Sequence, residues 1–375
     1  MNLKLQMMRP LIYSIVLLVV GVVQGYAASP AVDIEKVIEK SFDITSDGTL
    51  DIRNKYGNVT ISDWDKNSID IKVTITVKTG SQSKADEIFD RIDIQFNGSS
   101  DYVSAFTEIE SKSNSWFSWG SWSSGNDYEI DYEVKMPKTL YLKLENKYGN
   151  AYLPDLDNGA SVIMKYGNVV MRSIEGKVAL DLGYGNADFG DLGNLTADIK
   201  YSNIKGSSTQ NLNINSKYSS IKIGDVVNVK SETKYDNYVI ERAGKITNFG
   251  KYDSWDLGEI ESLSSETKYT DFVIDYLKKD LDIDQKYGAI RVRKLDCNSD
   301  AEVDLEVGFT EIDFDMDGCN DYEIEYEGRY TDLSLTRALD DSVIESGNDT
   351  SLNERIGSGK RKFDIEMEYG RLKMK

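Results

Sequence analysis

"ENKYGN" occupies residues 145–150, "IMKYGN" residues 163–168 and "DLGYGN" residues 181–186. A catalytic loop is needed once in a chain. A motif that returns at a short fixed interval marks a structural unit that stacks on itself. With the aromatic residue as position zero, the anchors are Tyr148, Tyr166, Tyr184, Tyr201, Tyr218, Tyr235, Tyr252, Tyr269 and Tyr287, every interval being 17 or 18 residues. The series continues less regularly through Phe309, Tyr330 and Tyr369, and an early copy stands alone at Tyr56.

Positions −6 and −4 are mostly apolar, as in Leu142 and Leu144, Leu212 and Ile214, or Leu281 and Ile283. This alternation describes a strand with one buried face. After the anchor the apolar residues fall at +3, +5 and usually +8, as in Val169, Met171 and Ile174, or Ile221, Ile223 and Val226. A change from even to odd spacing requires a corner. The pairs Gly-Asn, Ser-Asn, Ser-Ser and Asp-Asn at +1 and +2 suit one, because Gly and Asn tolerate left-handed backbone. The anchor Tyr is then expected to face inward and stack, with the bend after it. The expected fold is all-β: a single-stranded β-solenoid of 17–18-residue coils. About twelve coils at roughly 4.8 Å each would give a rod about 55 Å long. "FDIEMEYGRLKMK" (363–375) reads as the last coil, and the polar residues 340–361 as an excursion from the stack.

The chain has 375 residues, 29 Gly and 23 Tyr against four Pro, a β-rich composition. Lys4 and Arg9 precede the apolar run 11–23, and "GYA" (25–27) follows, so residues 1–27 read as a secretory signal peptide. With no Cys at that point, a lipoprotein anchor is not expected, nor is a transmembrane segment in the mature chain. The net charge of −20 becomes more negative once Lys4 and Arg9 are removed, which disfavours nucleic acid and anionic membrane surfaces. There is no His. Ser-His-Asp and Cys-His catalysis and His-ligated metals are excluded. No cofactor is expected.

Residues 28–140 depart from the repeat and read as an amino-terminal β-rich cap. They contain the alternating strand "SIDIKVTITVKTG" (68–80), a helix over 81–92, and strands near 93–97, 102–110 and 127–136. Residues 141–375 form the repeat domain. "LDIRNKYGNVTISDWDKNSIDIKVTI" (50–75), followed by a helix, further strands and KYGN coils, resembles the bacterial family of unknown function labelled "putative adhesin". The resemblance implies export and a right-handed β-helix; it supplies no catalytic residues.

Four features carry candidate chemistry. Trp116, Phe117, Trp119 and Trp122 lie in the Ser- and Gly-rich stretch 113–126. Such a loop either caps the solenoid or stacks on a ligand. Lysines recur at position −1 from Lys55 to Lys286, with acidic residues at −3 to offset them. They form either a salt-bridged solvated face or a stripe for an anionic glycan. Cys297 and Cys319 both lie at +10 from their anchors and are expected to form a disulfide between adjacent coils. Asp313, Asp315 and Asp317 resemble the start of a calcium loop, but Ile324 stands where its bidentate Glu belongs.

The leading functional expectation is a non-enzymatic exported envelope protein, an adhesin-like binding or scaffold rod, in the periplasm or at the cell surface. Its partner would be a glycan or an envelope protein. The alternatives are a polysaccharide lyase or hydrolase, which requires a carboxylate pair distinct from the repeat, and a periplasmic protein-binding regulator.

Overall fold

The computed structural model describes residues 15–17, 33–110, 127–335, 339 and 342–375. Among them the chain is all-β with one helix, and it divides into two compact units, Met1–Ile174 and Glu175–Lys375.

The first unit begins with β1 (Ile15–Leu17), inside the expected leader, which pairs antiparallel with β2 (Asp33–Asp43). The strands β3 (Thr49–Lys55) and β4 (Val59–Asp63) precede β5 (Ser68–Lys78). β5 buries Ile69, Ile71, Val73, Ile75 and Val77 on one face, as its alternation dictates, and pairs antiparallel with β2. Helix α1 (Gln82–Phe89) starts at Ser81, whose hydroxyl accepts from the Lys84 amide, and buries Ala85, Ile88 and Phe89. It is shorter than expected and ends at Asp90. β6 (Ile92–Gly98) and β7 (Tyr102–Ile109) form an antiparallel pair, and β8 (Tyr128–Met136) pairs antiparallel with β5. β9 (Tyr141–Lys147), β10 (Ala151–Leu153), β11 (Ala160–Lys165) and β12 (Asn168–Met171) follow. Here the pairing turns parallel: β3 with β9, β9 with β11, β4 with β10 and β10 with β12.

After β13 (Ile174–Gly183) the second unit is a parallel ladder. Its strands are β14 (Asn186–Lys200), β15 (Asn203–Lys217), β16 (Ser220–Lys234), β17 (Asn237–Lys251) and β18 (Ser254–Leu277). They are followed by β19 (Leu281–Val292), β20 (Ala301–Phe314) and β21 (Tyr322–Ser334). Leu195 pairs with Leu212, Val229, Ile246, Leu263, Leu281 and Val303 in succession, so like residues stack on like. Each of these buried side chains contributes about 1.5–3 kcal/mol.

The stacking order then leaves the chain order. β21 does not lie on β20. The last strand, β24 (Arg361–Met374), enters between them, parallel to both, with Phe363 opposite Val303 on one side and Ile324 on the other. The excursion supplies β22 (Ile344–Ser346) and β23 (Asp349–Ile356), an antiparallel hairpin laid against β21. β24 is therefore the last strand in sequence, yet it lies between β20 and β21 in space.

The corner differs from expectation in one residue. The anchor aromatics themselves hold the left-handed conformation, from Tyr201 at φ 51° to Tyr56 and Tyr287 at φ 65°. They point outward, between 37 % (Tyr287) and 53 % (Tyr184) exposed, except Tyr56, which is half-buried. The expectation that they face inward is overturned. A left-handed residue flips the pleat, so the side chain at +1 turns in: Ser202, Ser219, Asp236, Asp253 and Thr270 are buried. Where +1 is Gly, close approach is the reason. A Cβ on Gly149 would run into the Gly57 carbonyl oxygen, and one on Gly167 into that of Gly149.

Candidate interaction face

The outward anchors form continuous stacks. In the first unit Tyr56, Tyr148 and Tyr166 lie 5.2 and 5.0 Å apart, centroid to centroid. In the second the file runs from Tyr184 through Tyr287 and Phe309 to Tyr369 and then Tyr330, following the spatial order of the strands. Adjacent rings are within 16° of parallel. Their faces cover one another, so the edges and hydroxyl tips meet solvent. Each pair contributes about 0.5–1.5 kcal/mol beyond burial. That offsets the roughly 1–2 kcal/mol cost of left-handed backbone at a bulky residue.

Beside this file runs the lysine row. Lys147 pairs with Glu145 at 2.7 Å and Lys200 with Asp198 at 2.9 Å, as the −1/−3 spacing suggests. Lys234 lies over the Tyr235 ring at 5.2 Å. Lys217, Lys251, Lys268 and Lys286 have no ion-pair partner among the described residues. Among the described residues these salt bridges are formed at Lys147 and Lys200 and not from Lys217 to Lys286. In the middle, Phe249 takes the place of an acid at −3 and is 47 % exposed.

Two strands further along, from β19, acids come to dominate, although Glu232 and Glu266 already stand at −3 on β16 and β18. Asp284, Glu306, Glu366 and Glu327 stand in register at −3, and Asp282, Asp304, Asp364 and Glu325 at −5. These eight carboxylates have no lysine or arginine partner among the described residues; only the Ser264 hydroxyl donates to Asp282, at 3.0 Å. Like charges directly opposite one another in a sheet are destabilising. The crowding is visible at Asp304, whose carboxyl is pushed up first by burial and then by Asp364, Asp282, Glu302 and Glu306. Lys217, Lys234, Lys251, Lys268 and Lys286, with Glu232 and Glu266 among them, and the −3 acids Asp284, Glu306, Glu366 and Glu327 line one groove of about 1400 Å³, walled at the acidic end by the β22–β23 hairpin. Arg355 pairs with Glu323 at 2.5 Å and Arg329 with Asp349 at 3.6 Å, fastening that hairpin to β21.

The interior also carries polar chemistry. The Asp236 carboxylate accepts from the Ser216 hydroxyl at 2.8 Å and the Ser219 amide at 2.7 Å. Asp253 accepts from the Thr233 hydroxyl at 2.7 Å and the Asp236 amide at 2.9 Å. Among the described residues no lysine or arginine side chain joins them, and burial raises both carboxyls, Asp253 to about 6. Arg361 is fully buried at the start of β24 and donates to the carbonyls of Lys278, Lys279 and Asp296 at 2.8–3.0 Å.

Among the residues singled out from sequence, Trp116, Phe117, Trp119 and Trp122 lie outside the described residues. Cys297 and Cys319 form a disulfide with Cα atoms 5.2 Å apart. Asp313 is held by Lys373 at 2.9 Å, and Asp315 accepts the Asp317 amide at 3.0 Å, so the three acids do not converge. The acidic array escaped the sequence reading because β24 had to be placed between β20 and β21 before its acids met theirs. The buried Asp pair had a signal: Asp at +1 in two successive repeats, where Gly, Ser or Thr otherwise stands.

No protein-family model matches the chain, and no curated protein does. Solved structures do. A "putative cell adhesion protein" from Clostridium sporogenes is 9 % identical over 91 % of this chain and 98 % of its own, with a TM-score of 0.20. A "putative adhesin" from Bacteroides fragilis is 12 % identical over 91 % and 97 %, TM-score 0.23. A "putative lipid binding protein" from Parabacteroides distasonis is 11 % identical over 74 % and 96 %, TM-score 0.25. At these identities and TM-scores the likeness assigns no activity to the present chain.

Proposed function

We propose that the chain is a non-enzymatic exported protein of the cell envelope, in which a right-handed single-stranded β-solenoid of 17–18-residue coils serves adhesin-like binding or scaffolding. Residues 1–27 are the cleaved leader, 28–140 the cap and 141–375 the coils. One observation carries this reading: the outward side chains repeat from coil to coil, Tyr over Tyr and Lys over Lys, instead of converging once on a distinct constellation. A hydrolase or lyase needs such a constellation. The aromatic stretch 113–126 is the candidate ligand contact, with a glycan or an envelope protein as partner.

Fractionation of the native cell followed by protease shaving tests this. Loss of the protein from intact cells is the expected result for an adhesin. Full protection until the outer envelope is breached would overturn surface adhesion and leave a periplasmic scaffold. Recovery in the cytoplasm would overturn the whole reading.

A further inference from the structure

The outward rows that line the groove of the second unit repeat, with one departure at its middle. On β17 the −3 position holds Phe249, where the neighbouring strands β16 and β18 hold Glu232 and Glu266 in register with it. Phe249 is 47 % exposed and lines the groove. Across from these three stand Lys234, Lys251 and Lys268, again in register. A lone exposed Phe is ordinary, but this one is set between ions left open. At the same −1/−3 spacing Lys147 closes onto Glu145 and Lys200 onto Asp198. On either side of Phe249 the pairs do not close. Among the described residues the carboxylates of Glu232 and Glu266 have no ion-pair or hydrogen-bond partner, and Lys234 and Lys268 have no ion-pair partner. The groove thus presents acceptors on one wall, donors on the other, and an aromatic ring between the acceptors.

We infer that this groove binds a neutral polysaccharide. One sugar ring stacks on Phe249, and the hydroxyls of that ring and its neighbours bridge from the carboxylates of Glu232 and Glu266 to the ammonium groups of Lys234, Lys251 and Lys268. A hydroxyl donates and accepts at once, so one sugar hydroxyl satisfies an acid on one wall and a lysine on the other. The C–H face of a pyranose is apolar and covers the Phe249 ring. A pyranose is about as long as one strand step of about 4.8 Å, so successive sugars meet successive strands. The groove crosses eight strands, roughly 35 Å, which accommodates a hexasaccharide. A polyanion is disfavoured because Glu232 and Glu266 stand among the lysines. A peptide is disfavoured because β16, β17 and β18 are paired along both edges and leave no backbone edge for a further strand. The inference rests on the binding half of the proposed function and assigns the sugar to residues other than 113–126.

The test is calorimetric titration of the full chain with neutral hexasaccharides of glucose, mannose and xylose, at about 0.01 M and about 1 M salt, where the screening length falls from about 30 to about 3 Å. Saturable binding of at least one of them is expected, unchanged by salt because the ligand carries no charge. Phe249→Ala is expected to weaken it by about tenfold, the loss of one ring contact. Phe249→Trp is expected to keep it, and E232Q/E266Q to weaken it. All three variants alter exposed side chains, and melting temperatures near that of the parent show that they fold. Absence of binding by every hexasaccharide up to about 1 mM overturns the inference. So does binding that Phe249→Ala leaves unchanged. If replacing Trp116, Trp119 and Trp122 by Ala then abolishes that binding, the ligand contact of the proposed function stands and the groove assignment falls. Binding of heparin in place of any hexasaccharide, tightened by E232Q/E266Q and lost at about 1 M salt, also overturns it and gives the lysines to a polyanion.

Discussion

Tyr252 shows at the scale of one residue how this sequence trades strain for stacking. Its backbone sits at φ 63° while its ring lies between Tyr235 at 4.6 Å and Tyr269 at 4.8 Å. Replacing it by Ala removes two ring pairs and keeps the strain; replacing it by Gly removes the pairs and relieves the strain. Tyr252→Ala is expected to destabilise more than Tyr252→Gly, by about 1 kcal/mol, in urea unfolding. The reverse order would show that the ring alone holds the corner. Asp253, one residue on, carries a pH dependence. Its carboxyl rises from 3.8 to about 6 on burial. A raised carboxyl binds its proton more tightly folded than unfolded. Its effect is most favourable below 3.8 and is lost as pH climbs to about 6, a change of about 3 kcal/mol. Asp236 acts in the same direction. Asp253→Asn is therefore expected to be more stable than the parent at pH 7, with a smaller loss of stability between pH 4 and 6. Parallel curves for the two proteins would refute this.

Among the elements, β24 has the greatest leverage, because it fills the space between β20 and β21. Arg361 starts it by donating to three carbonyls of Lys278, Lys279 and Asp296. Arg361→Leu leaves those acceptors buried and unpaired, and about 3 kcal/mol of stability should go with them. Hydrogen exchange should quicken in β21 to β24 while β15 to β17 stay protected; uniform loss along the unit would contradict that picture. The disulfide acts on the neighbouring turn. Cys297 and Cys319 close a loop with a sequence separation of 22. Replacing both by Ala is expected to lower unfolding free energy by about 3 kcal/mol, the chain-entropy value for such a loop.

For the whole molecule, export is the property to measure. The mass of the protein isolated from its cell should correspond to a chain beginning at Ala28; an intact amino terminus would contradict the leader. Much of the architecture was readable because it is one-dimensional. A period of 17 or 18, an alternation before the anchor and its reversal after it depend on local pleat geometry alone. The amino-terminal strands and α1 followed from the same rules. The direction of the anchor side chain was not readable, since a parity change is equally consistent with a corner at the aromatic or after it. Only the backbone, with φ above 50° at every anchor, decided that Tyr points out. The order of the last strands was equally hidden. Their sequences fit the repeat wherever they are stacked, and long-range pairing placed β24 between β20 and β21. The adjacency of Glu306, Glu366 and Glu327 depends on that placement. Sequence alone determined the strands and their buried positions, because these alternate within a few residues of one another. Tertiary structure decided which way the corner residue points and which strands are neighbours, because hydrogen bonds and charges act across strands distant in the chain.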